Sequence, residues 1–295
     1  MKLALGTVQF GMDYGVSNVK GQVLLDEAKS IVECAQKAKI NTLDTAYLYG
    51  SSEAVLGEIL TGFTANVFKI ITKLPAVKDE KITRATIAEL GQNFNQSLVR
   101  LKKDNVYGLL LHSSKDFFLN GGRALKDFLF ALKEQGKVEK IGISVYSPDE
   151  LEQALEFLDS TIDIVQLPLN IFDQRFLHTG WLTKLRDQNI EVHTRSLFLQ
   201  GLLLLPIEKC KATFHAVTTH LQLYDRFLKH FNLSALECNL GFIKSISSIT
   251  KVLIGVTSVK ELDEIIKIYH EHQATVSYSE LSSTDLTLID PRMWK

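Results

Sequence analysis

Short apolar runs alternate along this chain with longer stretches whose apolar residues recur at helical spacing. The runs at residues 2–5, 42–43, 68–72, 106–111, 140–144, 164–167, 191–194 and 252–254 read as strands. The stretches at 24–38, 53–60, 83–102, 122–135, 149–158, 181–188 and 259–270 read as helices. In the first of these, Leu25, Ala28, Ile31, Val32 and Ala35 fall on one face. Ser147-Pro148 supplies an N-cap and a first-turn proline ahead of 149–158, and two serines after Gly50 promise a serine-capped start for 53–60. Eight strands, each followed by helical sequence, predict a (β/α)8 TIM barrel. Two regions break the rhythm: a long, mostly helical insertion at 196–251 after the seventh strand, and a C-terminal tail at 274–295. The tail could strap the barrel exterior or line the mouth.

The period also places polar residues. Asp44 stands at the end of the second strand, Lys73 and His112 one position past the apolar runs of the third and fourth, and Tyr49 five residues after Asp44. In a parallel barrel those strand ends share one face, where chemistry collects. Singly, each is more often structural: a strand-end Lys or His in packing, an Asp as a cap, a Tyr beside Gly as loop filling. Together they form a specific constellation. A phenol is a weak proton donor near neutral pH. An ammonium beside it stabilises the phenolate, a carboxylate keeps that ammonium charged, and an imidazole can hold a carbonyl oxygen. Such a group can protonate a carbonyl oxygen while hydride reaches its carbon.

Composition narrows the class. The 45% hydrophobic content of 295 residues suffices for a large core, and five prolines with no Ser/Gly-rich linker predict one domain over residues 1–295. A net charge of -1 gives no electrostatic case for nucleic acid or a membrane surface. Cys34, Cys210 and Cys238 form no CxxC pair and read as free thiols, and His178, His193, His215 and His220 show no metal-ligand spacing, so no metal is expected. The N-terminus lacks the long apolar core of a signal peptide, no stretch has transmembrane length, and a cytoplasmic protein is the expectation. Gly6, Gly11 and Gly15 do not make the GxGxxG of an open dinucleotide-binding sheet.

With these residues in view, the chain resembles the aldo-keto reductase family nearly end to end. LDTAYLYGSSEAVLGEIL resembles the signature around the family's catalytic Asp and Tyr, ITKLP the segment of its Lys, and SLVRLKKDNVYGLLLH the segment ending in its His. IGISVYSP, VQLPLNIFDQR and VLIGVTSVKELDEI resemble its cofactor-binding strand ends. The resemblance implies NAD(P)H-dependent reduction of an aldehyde, ketone or sugar carbonyl, or the reverse. Tyr49 would be the general acid, Lys73 and Asp44 its tuning pair, and His112 the group that orients the carbonyl. Ser144 and Gln166 would hold the nicotinamide carboxamide, with Gly6, Thr7 and Asp44 lining the site. Gly255, Thr257 and Ser258 would lie near the phosphates, by a helix start that suits an anion. Arg195, Ser196 and Gly201 complete the implied cofactor contacts.

Three departures bear on this. Val145 stands where the family commonly has Asn. Arg195 stands where an aromatic often stacks on nicotinamide; it can stack itself or pair with an anion. Thr257, Glu261 and Ile265 replace residues that grip a 2′-phosphate, leaving Lys260 as the cation, so the family's lean to NADPH is slight here and NADH is possible. Two further readings stay open. One is a cofactor-binding regulatory subunit with little turnover, resembling potassium-channel β subunits. The other is a cofactor-free isomerase or lyase. Tyr14, Tyr47, Phe117, Phe118 and Trp294 are aromatic candidates for the pocket wall, while the substrate and oligomeric state are not readable.

Overall fold

The computed structural model describes residues 1–64, 67–213, 218–271 and 276–294. His215, together with residues 274, 275 and 295 of the tail, lies outside these residues. Eight parallel strands close into a barrel in chain order: β1 Leu3–Gly6, β2 Thr42–Asp44, β3 Lys69–Leu74, β4 Val106–Leu111, β5 Val138–Ser144, β6 Ile164–Pro168, β7 Glu191–Arg195 and β8 Lys251–Gly255. The helices are α1 Val8–Gly11, α2 Leu25–Lys37, α3 Ser52–Leu60, α4 Arg84–Leu101, α5 Gly122–Glu134, α6 Pro148–Phe157, α7 Arg175–His178, α8 Trp181–Asp187, α9 Ile207–Thr213, α10 Thr218–Phe231, α11 Ala235–Ser245, α12 Val259–Glu271 and α13 Leu286–Ile289. The expected barrel is therefore present, with α9, α10 and α11 filling the insertion. No helix among the described residues is long and apolar enough to cross a membrane.

Asp44 ends β2 as expected, whereas Lys73 lies inside β3 because that strand runs on to Leu74. Their side chains consequently obey the strand alternation and project from fixed positions. Ile71, two residues before Lys73, packs with Tyr107, Leu110 and Ile164 in a small cluster of its own. The much larger cluster joins the strands to the surrounding helices.

The helix starts follow their sequence signals with one exception. Thr83 and Thr86 form a capping box on α4, as do Ser234 and Glu237 on α11, and Ser147 Oγ accepts from the Glu150 N–H on α6. On α3 the expected serine cap is absent. Ser51 holds the N-cap place without a capping bond, and Ser52 turns inward instead. Its Oγ donates to the Thr7 carbonyl at 2.8 Å and meets the hydroxyls of Thr7 and Thr45 at 2.9 and 3.0 Å. A buried hydroxyl needs partners more than a solvated helix end needs a cap.

The thiols are free, as expected. Burial pushes those of Cys34 and Cys238 up to about 12, the former also through its bond to Asp263. Such thiols are inert near neutral pH.

Candidate active site

Strand register assembles the site. Gly6 of β1 is level with Asp44 of β2 on one side and with Gly255 of β8 on the other, and Ser144 of β5 is level with Gln166 of β6. The strand ends open into a cavity of about 640 Å3. Asp44, Tyr49 and His112 line it, as do Gly6, Thr7, Ser144, Gln166, Arg195, Ser196, Gly201, Gly255 and Thr257. His112 follows β4 and α12 follows β8, so the cavity spans the barrel mouth. Ser258 is not part of its wall; its Oγ accepts from the Glu261 N–H.

Asp44 is held on all sides. Lys73 Nζ donates to Oδ1 at 2.5 Å and Gln166 Nε2 donates to Oδ2 at 2.8 Å. The Asp44 carbonyl accepts from the Thr7 N–H at 3.0 Å and the Thr7 hydroxyl at 2.9 Å. Lys73 also donates to the Thr45 carbonyl at 2.9 Å. Lys73 and Asp44 are 1% and 2% exposed, so this ion pair is shut off from water. Burial alone would lower the proton affinity of Lys73, but Asp44 and Tyr49 outweigh it and hold the ammonium above its ordinary range.

Tyr49 is positioned by backbone. Gly11 of α1 packs against its loop so closely that a Cβ there would sit 1.8 Å from the Tyr49 carbonyl oxygen. Gly50, at φ +55, returns the contact: its Cβ would lie 2.2 Å from the Gly11 carbonyl oxygen. Lys73 Nζ lies 5.0 Å from the Tyr49 ring centroid. The His112 ring stands edge-on to Tyr49, with centroids 6.0 Å apart. Burial, with the charges of Lys73 and Arg195, pulls the His112 imidazole down to about 4. A neutral imidazole can give one N–H to an oxygen without competing as an acid.

Several buried supports had no signal in sequence pattern. Glu53, 1% exposed, accepts from the Thr72 hydroxyl at 2.6 Å and pairs with Arg100 at 3.4 Å, fixing α3 against β3 and α4. Glu150 accepts from the Tyr146 N–H and the Ser114 hydroxyl, at 2.9 and 2.7 Å. The aromatic candidates divide. Tyr14 lines the cavity. Tyr47 instead donates to Gln96 under Arg100, Phe117 is buried in a stack on Phe157 with Phe118 against the same ring, and Trp294 donates to the Thr287 carbonyl. Pro291 and Arg292 bring the tail into the wall. Arg195 stacks, but on a protein ring: its guanidinium lies 4.1 Å from the Tyr146 centroid.

The far wall of the cavity is acidic. Glu261 accepts from the Thr257 N–H at 2.7 Å and the Thr257 hydroxyl at 2.8 Å, and Glu27 of α2 accepts from the Val259 N–H at 2.8 Å. Two carboxylates thus already occupy donors at the start of α12. Of these two only Glu261 lines the cavity; Glu264 adds a second carboxylate to the wall, and neither Glu27 nor Lys260 is part of it.

The model of the Aldo/keto reductase family matches residues 2–284. Among solved structures, AKR11C1, an aldo-keto reductase from Bacillus halodurans in its holo form, aligns with 18% identity and a TM-score of 0.74, covering 100% of this chain and 95% of its own. PA4992 from Pseudomonas aeruginosa, described as a candidate aldo-keto reductase, aligns with 20% identity and a TM-score of 0.67, covering 91% of this chain and 89% of its own. At such identities the likeness speaks for the fold. The comparison with curated proteins gave no match.

Proposed function

Since this chain belongs to the aldo-keto reductase family, we propose that it reduces an aldehyde, ketone or sugar carbonyl with hydride from a bound nicotinamide cofactor, or runs the reverse reaction. The observation that carries this reading is the water-free Asp44–Lys73 pair beneath Tyr49, with neutral His112 on the same cavity. Asp44 keeps Lys73 charged. Lys73 stabilises negative charge as it develops on the Tyr49 oxygen, Tyr49 delivers its proton to the carbonyl oxygen, and His112 orients that oxygen through its N–H. The completeness of this quartet favours turnover over a purely regulatory role.

The cavity fits the cofactor. Gly255 leaves open a place where a Cβ would meet the Gln9 amide at 2.6 Å, and the buried Gln9 Oε1 has no protein partner. Ser144 and Gln166 stand level at the β5 and β6 ends, where they could hold a carboxamide; Gln166 already uses one amide N–H on Asp44. A bound nicotinamide nucleotide would supply or accept the hydride. Sequence resemblance leans to NADPH, but Glu261 and Glu264 on the cavity wall shift the proposal to NADH. A 2′-phosphate there would face carboxylates, whereas a ribose hydroxyl can donate to one.

The test is paired. Tyr49→Phe keeps shape and removes the donor, so it should lose most of kcat at unchanged cofactor affinity. Near wild-type turnover would remove Tyr49 from the mechanism. Fluorescence titration should show NADH binding at least ten-fold tighter than NADPH, about 1.4 kcal/mol. A clear NADPH preference would overturn the cofactor assignment, and binding of neither would overturn the reductase reading.

A further inference from the structure

Tyr146 carries two guanidinium groups that the proposed chemistry does not use. Arg195, from the end of β7, lies 4.1 Å from its ring centroid, and Arg292, from the C-terminal tail, lies 3.4 Å from it. Both arginines and the Tyr146 ring line the cavity that holds Tyr49 and His112. The platform is fixed. The Tyr146 N–H donates to Glu150 at 2.9 Å, and its carbonyl accepts from Arg175 Nη2 at 3.0 Å. Arg175 is itself held by Asp173. Stacking restrains both guanidinium planes at little further entropic cost.

The donors left over point to a ligand. Arg292 forms a fork with Asp290, Nε to Oδ1 at 2.9 Å and Nη2 to Oδ2 at 2.5 Å. That fork uses two of five N–H donors and neutralises one charge. Arg195 donates to the Val145 carbonyl at 3.1 Å and to Ser196 Oγ at 3.5 Å, both uncharged. It has no ion-pair partner among the described residues. Its charge is felt inside the site, since it helps pull His112 down. This wall of the cavity therefore keeps one cation that bonds no carboxylate among the described residues, though Asp290 feels its charge, and spare donors on a second, both open to charge-assisted bonds from an anion.

We propose that Arg195 and Arg292 form a subsite for an anionic group on the substrate, so that the enzyme prefers carbonyl compounds bearing a carboxylate or phosphate. This rests on the reductase reading above. The tail then acts in specificity, because Pro291 and Arg292 form part of the cavity wall.

The test compares matched aldehydes: 4-carboxybenzaldehyde against 4-methylbenzaldehyde, and glyceraldehyde 3-phosphate against glyceraldehyde. The two pairs separate carboxylate from phosphate recognition. Wild type should favour at least one anionic member in kcat/KM by ten-fold or more. Arg292→Gln should lower that ratio at least ten-fold through KM, with a change of less than two-fold in nicotinamide-nucleotide Kd. Arg292→Lys, which keeps the charge but loses the fork, should restore part of the ratio. Equal or better use of the neutral aldehydes overturns the proposal. A parallel rise in cofactor Kd also overturns it, by assigning the arginines to the cofactor's pyrophosphate. If no aldehyde is turned over, the reductase reading fails instead and the subsite is judged by benzoate titration. Benzoate must then bind wild type and be lost in Arg292→Gln, or the subsite falls as well.

Discussion

Removing the carboxylate of Asp44 tests the site at its most buried point. In Asp44→Asn, Lys73 keeps its place but loses its counter-charge. The terms that act on Lys73 are burial, which lowers its proton affinity, and Asp44 and Tyr49, which raise it. With Asp44 neutral, burial is opposed by Tyr49 alone, and the proton affinity of Lys73 falls. In the native protein the raised ammonium contributes stability that is fully present below its unfolded value and is lost only as pH climbs through the higher folded one. The variant gives up the part of that stability that Asp44 supplies. Breaking one half of a buried pair costs about 3–5 kcal/mol. At about 2–4 °C per kcal/mol for a chain of this size, thermal unfolding should fall by roughly 6–20 °C. Asn retains much of the geometry, since it can still accept from one neighbour while the Gln166 amide turns over to face its NH2 group.

The rate should fall more sharply than stability alone implies. Lys73 Nζ lies 5.0 Å from the Tyr49 ring centroid. At an effective dielectric constant near 20, one charge at that distance is worth about 3 kcal/mol of stabilisation for a developing phenolate. That is about two orders of magnitude in proton transfer. Single-turnover nicotinamide absorbance, with melting followed by circular dichroism, reads both effects on one preparation. A variant that melts within about 2 °C of wild type and reduces substrate within about three-fold of its rate would refute the assignment of Lys73 as a charge held by Asp44.

Two further perturbations probe its supports. Gly11→Ala would force a Cβ to within 1.8 Å of the Tyr49 carbonyl oxygen and 2.4 Å of the Ser52 nitrogen, both backbone atoms; kcat should drop by about ten-fold or more as the Tyr49 loop shifts, and unchanged kcat would show that the loop can yield. Burial raises the Asp116 carboxyl to about 6 against its bonds to Val77 and Ser113, while His112 is lowered to about 4. Between pH 4 and 6 the folded state therefore over-binds a proton at Asp116 and under-binds one at His112, so stability falls with rising pH through the first and rises through the second. In wild type the two oppose, so Asp116→Asn should make melting temperature climb more steeply from pH 4 to 6; identical slopes would refute the Asp116 assignment.

How much of this was legible depended on sequence distance and period. The barrel, Asp44, Lys73 and His112 follow from strand spacing, because a strand end fixes where its last side chains point, and Tyr49 follows from its interval of five after Asp44. The bonds that tune them do not. Gln166 reaches Asp44 from 122 residues away and Glu27 reaches Val259 from 232, and no local period encodes either contact. The serines after Gly50 read as a helix cap because a Ser before an apolar run usually is one. Ser52 was claimed instead by two threonine hydroxyls on neighbouring strand ends, a competition visible only once the barrel closes. Phe117 and Phe118, beside a strand end, fitted a pocket wall equally well on paper. The core took Phe117 because Phe157 of α6 offers it a stacking partner.

The residues that depart from the family's pattern also share a physical sense. Glu261, with Glu264, makes the α12 side of the cavity acidic, while Arg195, joined by Arg292 from the tail, makes the Tyr146 side basic. Charges of opposite sign across one half-enclosed cavity set a field along it, and weakly solvated walls screen that field poorly. A ligand with a neutral diol toward α12 and an anion toward Tyr146 matches it, and one carrying an extra phosphate toward α12 does not. The NADH assignment and the anionic-substrate subsite are thus two consequences of a single charge layout. Adding salt should weaken both together: the NADH-over-NADPH ratio and the anionic-over-neutral aldehyde ratio should each shrink as the Debye length falls from about 10 Å at 0.1 M to about 3 Å at 1 M. Ratios that hold constant over that range would mean that shape, not charge, does the selecting.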